Sequence, residues 1–223
     1  MVLFGIPTML NISFSLSLLI LLCTLANPFA AAKQFLPDAP NVDAKAWILV
    51  DADTGYVIAE QNADDTLPPA SLAKMMTTYI TSKEIAENRL KEDDLVVISD
   101  NAWELGGAKT DGSTMFLSPR SKVPVIDLMR GVIIQSGNDA AISLAEHISG
   151  GETAFSDNMN YQAELMGMTN TYYMNATGLP AEGMVTSARD LTILAKAIIN
   201  EHPEYYSIYS EKYFKYNNIN QPN

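Results

Sequence analysis

The sequence contains a single serine that is followed three positions later by a lysine, in the segment Ser71-Leu72-Ala73-Lys74. At this spacing on a helix the two side chains share one face, with β-carbons about 5–6 Å apart, so a neutral amine can take the serine proton. A free lysine has a pKa of about 10.4 and needs burial or a nearby positive charge to act as a base. Leu72, Ala73, Met75 and Met76 are candidates for an apolar surrounding. Taken alone, the pattern also fits a capping serine followed by a surface lysine.

A second polar element, Ser136-Gly137-Asn138, separates two apolar segments. A break between helices lets a hydroxyl and an amide point into a cleft, although a simple interhelical turn would show the same pattern. Two other segments, Ser99-Asp100-Asn101 and Ser156-Asp157-Asn158, spell the S-D-N tripeptide of class A β-lactamases. Their context favours a helix cap for the first and the solvated face of a helix for the second. The segment at 136–138 is therefore the better partner for the Ser71–Lys74 pair.

The sequence lacks the residues that other nucleophilic active sites and metal sites require. The chain has no G-x-S-x-G segment, and its two histidines, His147 and His202, have no metal-ligand spacing between them. We therefore expect neither a Ser-His-Asp triad nor a zinc site, and we interpret both histidines as capping or surface residues. No Walker loop or dinucleotide fingerprint occurs, so no cofactor is predicted.

The candidate residues must be positioned by a hairpin and a series of helices. Two apolar runs within residues 46–60 flank Asp53-Thr54-Gly55, which predicts a β-hairpin. Residues 95–98 are predicted as a short strand and residues 106–118 as a loop. Apolar residues at helical spacing predict helices at 71–85, 124–135, 139–148, 152–166 and 187–200. The chain is thus predicted to form a hairpin followed almost entirely by helices.

Composition and charge indicate an exported globular protein. The chain is 48% hydrophobic and has a net charge of −12, with 14 Lys and Arg against 26 Asp and Glu. It can therefore bury a core, and it lacks the basic face that nucleic-acid binding requires. Residues 1–32 combine an apolar run with the absence of charged side chains and end in Ala30-Ala31-Ala32, which predicts a signal peptide cleaved before Lys33. The single Cys23 lies in this segment, so the mature chain has no thiol.

The motifs and their order resemble those of the low-molecular-weight penicillin-binding proteins, the serine-type D-alanyl-D-alanine carboxypeptidases. The likeness covers nearly the whole mature chain and includes residues 42–49, 69–77, 131–140, 175–179 and 186–191. The resemblance implies an α+β transpeptidase/β-lactamase-like domain, of which residues 33–223 hold the N-terminal hairpin and the helical region. It also implies an enzyme that removes the terminal D-Ala of peptidoglycan stem pentapeptides through an acyl-serine, and that β-lactam antibiotics acylate.

The resemblance implies a role for each candidate residue. Ser71 takes the place of the nucleophile, Lys74 that of its base, and Ser136 that of the hydroxyl that carries a proton to the leaving group. Asn138 matches the amide that orients Lys74 and the bound acyl chain. The expected location is the periplasm, with inner-membrane association only through a C-terminal amphipathic anchor.

The sequence departs from the family pattern at two places. Arg120 follows Pro119 where family members usually carry a glycine, so we expect this loop to bend differently. The third family motif, K-T-G, is expected beyond Asn223, together with the remaining sheet strands, a β-rich second domain and the anchor. We therefore expect residues 33–223 alone to be poorly soluble or loosely packed, and to show neither carboxypeptidase activity nor penicillin labelling. Two alternatives stay open: a β-lactamase of the same fold, and an inactive fragment that binds peptidoglycan.

Overall fold

The computed structural model describes residues 39–108, 110 and 112–223, and the predicted signal peptide with Cys23 lies outside the described residues. The described strands are β1 (Trp47–Val50), β2 (Val57–Gln61), β3 (Leu95–Val97), β4 (Lys122–Pro124), β5 (Tyr213–Tyr216) and β6 (Ile219–Pro222). The helices are α1 (Lys74–Ala86), α2 (Asp100–Trp103), α3 (Val125–Gln135), α4 (Asn138–Ser149), α5 (Glu152–Met166), α6 (Ala188–Glu201) and α7 (Pro203–Tyr206). Shorter turns are the 3-10 turns Ala70–Ala73 and Ser207–Ser210 and the π-helical turn Glu104–Ala108. None of these helices is long and apolar enough to cross a bilayer.

The described strands pair as two-stranded antiparallel sheets. β1 pairs with β2 in a register that places Ile48 opposite Glu60, which confirms the hairpin predicted at residues 46–60. β3 pairs with β4 and confirms the short strand predicted at residues 95–98. The chain therefore combines helices with antiparallel strands, which is the predicted α+β class.

The prediction that helices follow the first hairpin almost without interruption is wrong. β4 adds another strand, and β5 and β6 form a second hairpin joined by Asn217 and Asn218. These asparagines have φ of 45° and 62°, the left-handed conformation that a tight hairpin turn requires. Asparagine tolerates this region better than most residues, so the Asn-Asn pair is the local signal for this hairpin. β4 spans only Lys122–Pro124, which is too short to show the strand period.

The predicted helices at α3, α4, α5 and α6 are confirmed to within one residue at each end. Side-chain caps explain where helices begin: the Ser187 hydroxyl accepts the backbone N–H of Asp190 at 3.1 Å before α6. Ser99 accepts the N–H of Ala102 at 2.8 Å before α2, which confirms its interpretation as a cap. Gly167 ends α5 with a φ of 78°, a conformation that glycine adopts without strain.

Two side chains that the sequence analysis placed on the surface or at helix ends are buried. Ser156 lies on α5 as predicted, but its buried hydroxyl donates to the Glu152 carbonyl at 2.9 Å. This bond within the helix satisfies the hydroxyl without water. His202 lies at the end of α6, yet it is 5% exposed and its ring packs edge-on against Tyr79. Neither His202 nor the exposed His147 joins a group of metal ligands in the described chain.

α1 is surrounded by other helices, because it packs against α3, α4, α5 and α6. One apolar cluster forms around α3 and α4, and a second one forms around α1, α5 and α6. Both clusters contain side chains that are at most 1% exposed, among them Leu128, Met129, Ile142, Met76, Ile80 and Phe155. This packing fixes the N-terminal end of α1, which begins at Lys74 directly after the turn that carries Ser71.

One carboxylate holds the loop that precedes β4. Asp139, the second residue of α4, is buried, and its oxygens accept the hydroxyl of Thr114 at 2.7 Å. They also accept the backbone N–H groups of Met115 at 2.8 Å and Leu117 at 3.0 Å. These bonds satisfy buried backbone groups that no strand pairs. The carboxylate thus ties the loop to the helix that also carries Asn138.

We expect Asp139→Ala to lower the free energy of unfolding by about 3 kcal/mol or more, because two buried N–H groups and a hydroxyl lose their acceptor. Urea or thermal unfolding of the protein measures this loss. Asp157→Ala, at an exposed position of α5, is the matched control and should change the free energy by less than about 0.5 kcal/mol. Equal effects of the two substitutions would contradict the role given to Asp139.

Candidate active site

Ser71 lies in the 3-10 turn Ala70–Ala73, directly before α1 begins at Lys74. The sequence predicts it on the first turn of the helix itself, so α1 begins three residues later than expected. Backbone N–H groups in the first turn of a helix have no intrahelical acceptor and favour negative charge. Ala70 has a φ of 49°, a left-handed conformation that is uncommon for alanine, so the backbone bends sharply just before Ser71.

The Lys74 side chain is buried beside Ser71. Its Nζ atom lies 3.4 Å from Ser71 Oγ and donates to the Thr177 carbonyl oxygen at 2.6 Å. The residue is 4% exposed. Burial lowers the pKa of the Lys74 amine from 10.5 to about 8, because the charged form loses its hydration there. The apolar surrounding that the sequence analysis required for this lysine is therefore present.

This geometry allows the Lys74 amine to act as a base. A neutral amine has two N–H groups and one lone pair. The Thr177 carbonyl takes one N–H, which leaves the lone pair able to face the Ser71 hydroxyl. Because the pKa of the amine is about 8, an appreciable fraction of it is neutral near physiological pH.

Ser136 brings a second hydroxyl to the same cavity. The residue ends α3 in a left-handed conformation with a φ of 53°. Its buried Oγ atom has no hydrogen-bond partner in the described part of the chain. Ser71, Lys74 and Ser136 together line a cavity of about 220 Å³. An unpaired buried hydroxyl costs about 1–3 kcal/mol, so Ser136 is available to a ligand or a transferring proton.

Asn138 lies next to this cavity but does not line it. The residue is buried at the start of α4, and its backbone N–H donates to the Ser113 carbonyl at 2.8 Å. Its side-chain nitrogen packs against Gly112, where an added Cβ would come within 2.6 Å of it. Among the described residues, the hydrogen bonds of Lys74 reach Ser71 and Thr177 and not Asn138. The structure thus brings three of the four predicted site residues together and leaves Asn138 in the adjoining wall.

A turn at residues 175–179 holds Lys74, and the sequence analysis gave it no role. The Asn175 side-chain oxygen accepts the backbone N–H groups of Thr177 at 3.1 Å and Gly178 at 2.8 Å. Gly178 has a φ of 80°, and a Cβ added to it would lie 1.7 Å from the carbonyl oxygen of Ala70. The turn therefore packs directly on the peptide that precedes Ser71. Asparagine followed by glycine at this spacing is a turn signal that the sequence does carry.

Arg120 takes the backbone conformation that a glycine would favour at its position. Its φ is 64°, in the left-handed region, and its N–H donates to the Ile98 carbonyl at 2.8 Å. The expectation that this loop bends differently from that of the family stays a prediction.

The helices, the small sheets and the cavity with Ser71, Lys74 and Ser136 define a protein with the penicillin-binding-protein fold. Penicillin-binding protein 5 from Haemophilus influenzae superimposes with a TM-score of 0.81 at 40% sequence identity, over 84% of this chain and 54% of that one. Penicillin-binding protein 6B from Escherichia coli also gives a TM-score of 0.81, at 39% identity, over 85% of this chain and 60% of that one.

The sequence comparisons give the family. The family model described as D-alanyl-D-alanine carboxypeptidase matches residues 33–223. D-alanyl-D-alanine carboxypeptidase DacC of Escherichia coli (strain K12) is 46% identical over 197 residues, which cover 88% of this chain and 49% of that protein. The chain belongs to the D-alanyl-D-alanine carboxypeptidase family. It spans about half the length of the curated relatives it matches.

We expect Gly178→Ala to displace the Ala70–Ser71 peptide, because the new Cβ would overlap the Ala70 carbonyl. The substitution should destabilise the protein by more than the roughly 1–2 kcal/mol that a left-handed backbone costs an alanine. Gly183→Ala is the matched control: its φ is 82°, and its Cβ would meet nothing within 4 Å. Thermal unfolding of both variants separates the effect of the steric overlap from that of backbone strain. Equal losses of stability in the two variants would contradict the close packing of Gly178 on the Ala70 carbonyl.

Proposed function

We propose that this protein is a serine-type D-alanyl-D-alanine carboxypeptidase that removes the terminal D-Ala of peptidoglycan stem pentapeptides through an acyl-serine intermediate. The observation that carries the proposal is the buried Lys74 amine, which lies 3.4 Å from the Ser71 hydroxyl. Membership of the family and the names of the relatives support the substrate class.

In the proposed reaction, acylation begins when the neutral Lys74 amine takes the proton of Ser71. The Ser71 oxygen attacks the carbonyl carbon between the two D-Ala residues, and the C–N bond breaks as D-Ala leaves. The backbone N–H of Ser71 contributes to stabilising the oxyanion formed on the way, because it has no backbone acceptor among the described hydrogen bonds. Ser136, whose hydroxyl is unpaired in the same cavity, passes the proton from Lys74 to the leaving amine.

Water then hydrolyses the acyl-serine and frees the enzyme. Asn138, in the wall next to the cavity, holds the amide of the acyl chain in this proposal. A β-lactam reacts with Ser71 in the same way, because its strained amide presents the same carbonyl to the nucleophile. Ring opening keeps the leaving amine attached, so the acyl-enzyme is hydrolysed slowly and the antibiotic acts as a covalent inhibitor.

We also propose that the protein acts in the periplasm after removal of residues 1–32. The family match begins at residue 33, the predicted start of the mature chain, and this supports the proposed cleavage site. Residues 33–223 are then the N-terminal part of the catalytic domain. Attachment to the inner membrane is proposed to come from a C-terminal anchor.

Penicillin should label Ser71 in the protein expressed from its complete coding sequence. Tryptic digestion and mass spectrometry should place the adduct on the peptide 46–74, because Ser71 alone has the Lys74 amine beside it. Ser71→Ala should abolish labelling and keep the fold, because among the described residues the Ser71 hydroxyl bonds only to the Lys74 amine and caps no helix. Ser99→Ala, which also removes a helix-start serine, should label like the wild type. An adduct on Ser136 would contradict the assignment of the nucleophile.

The acylation rate should rise with pH and level off above about 8, because only the neutral Lys74 amine accepts the serine proton. Lys74→Ala should slow acylation by about 10²–10⁴-fold, and Lys74→Arg should do little better, because a guanidinium stays protonated. Stopped-flow measurement with a chromogenic cephalosporin gives both results. Lys83→Arg, on the same helix, is the control and should leave the rate unchanged. Near wild-type acylation by Lys74→Arg would assign the base to another group.

A further inference from the structure

Part of the wall of the cavity that holds Ser71, Lys74 and Ser136 comes from a tyrosine far along the chain. Tyr209 comes from the 3-10 turn Ser207–Ser210, and its ring lines this cavity. Its hydroxyl lies 3.0 Å from the hydroxyl of Thr78, a buried residue one helical turn after Lys74 on α1. The ring therefore spans from its own turn to the helix that carries the lysine.

The remaining wall of the cavity is mostly apolar. Leu72, Met75, Thr78, Val132 and Ile133 complete it. The position of Tyr209 is fixed from the backbone side as well, because its carbonyl oxygen accepts the side-chain amide of Asn223 at 3.0 Å. Two residues further on, Glu211 pairs with Arg130 of α3 at 3.1 Å. The turn that carries the tyrosine is thus held against α3, which also lines the cavity through Val132 and Ile133.

The chemistry of this cavity depends on how little water reaches the Lys74 amine. Burial is the sole cause that lowers the pKa of Lys74, and no charged group in the described chain adds to it. The helices packed against α1 carry two fully buried carboxylates, Asp139 of α4 and Asp190 of α6, and α5 adds the partly buried Glu152, which accepts the backbone N–H of Ala176 and whose pKa burial raises. The two aspartates are engaged by other groups: Asp139 by the loop at 114–117, and Asp190 by the N–H of Asn170 and the hydroxyl of Thr171. Of the residues that line the cavity, Tyr209 and Lys74 are the two that ionise.

We infer that Tyr209 is a positioning residue for the reaction proposed above: its ring closes this part of the cavity wall and keeps water away from the Lys74 amine. The inference rests on the proposed role of Lys74 as the base. Removal of the ring opens a path for water along α1, the amine regains hydration, and its protonated form becomes more stable. The ring, and not the hydroxyl, is the part that acts. Burial raises the pKa of the Tyr209 hydroxyl, so this group stays protonated and does not itself take the serine proton.

The test is the pH dependence of β-lactam acylation in the protein expressed from its complete coding sequence. Tyr209→Ala should move the midpoint of the pH–rate profile to higher pH by about one unit, and acylation at pH 7 should fall about tenfold. Tyr209→Phe keeps the ring and loses the bond to Thr78, so its midpoint should match the wild type. Tyr161→Ala, at an exposed position of α5, is the matched control and should leave the profile unchanged.

Two further measurements keep the test decisive. Ile133→Ala opens the same cavity from α3, so it should shift the midpoint in the same direction even if Tyr209→Ala does not fold. NMR titration of isotope-labelled lysine follows the Lys74 amine directly and does not depend on activity. The pKa of this amine should rise in both variants.

An unchanged pKa in a folded Tyr209→Ala variant would overturn the inference. An equal shift in Tyr209→Phe would overturn it too, because the hydroxyl would then be the active part. A wild-type protein that is not acylated at all would overturn the proposed function, whereas the titration would still decide the role of Tyr209.

Discussion

The hydrogen bond from the Lys74 amine to the Thr177 carbonyl is the interaction on which the rest of the site depends. It joins α1 to a turn 103 positions later in the chain and holds the amine within reach of Ser71. A buried amine without an acceptor would leave its N–H groups unsatisfied, and one paired with a carboxylate would stay protonated. A neutral backbone carbonyl avoids both, because it fixes the amine without the negative charge that would raise its pKa.

The surrounding fold provides two conditions that this hydrogen bond requires. The amine must be buried, and the packing of α1 among four other helices provides that. The turn at 175–179 must also come very close to the start of α1, and the absence of a Cβ at Gly178 permits it. Unfavourable local features also occur at this site. Ala70 and Ser136 both have positive φ, and the Ser136 hydroxyl has no hydrogen-bond partner among the described residues. Such local costs are typical of functional sites, where the rest of the fold holds an unfavourable conformation in place.

The sequence was sufficient to predict those parts of the molecule that carry their own local signature. Ser71 and Lys74 identify themselves by residue type and spacing, and Ser136 by its position between two apolar helices, which the structure has as α3 and α4. The part played by Thr177 could not be predicted, because every residue has a carbonyl and only the fold determines which one reaches the amine. Tyr209 was missed for the same reason, since no local pattern shows what a tyrosine near the end of a polar segment will pack against.

The second hairpin, which the sequence did not predict, supports the elements that carry the site. The hairpin of β5 and β6 donates from Gln221 to the Met115 carbonyl at 3.1 Å, and it receives the Gln135 amide on the Pro222 carbonyl at 2.7 Å. It thereby braces the loop held by Asp139 and the end of α3 just before Ser136. Ser71 and Lys74 are thus marked locally by their spacing, and Ser136 is marked by the break between two helices. The low pKa of Lys74 is a property of the whole assembly, because each wall that excludes water comes from a different part of the chain.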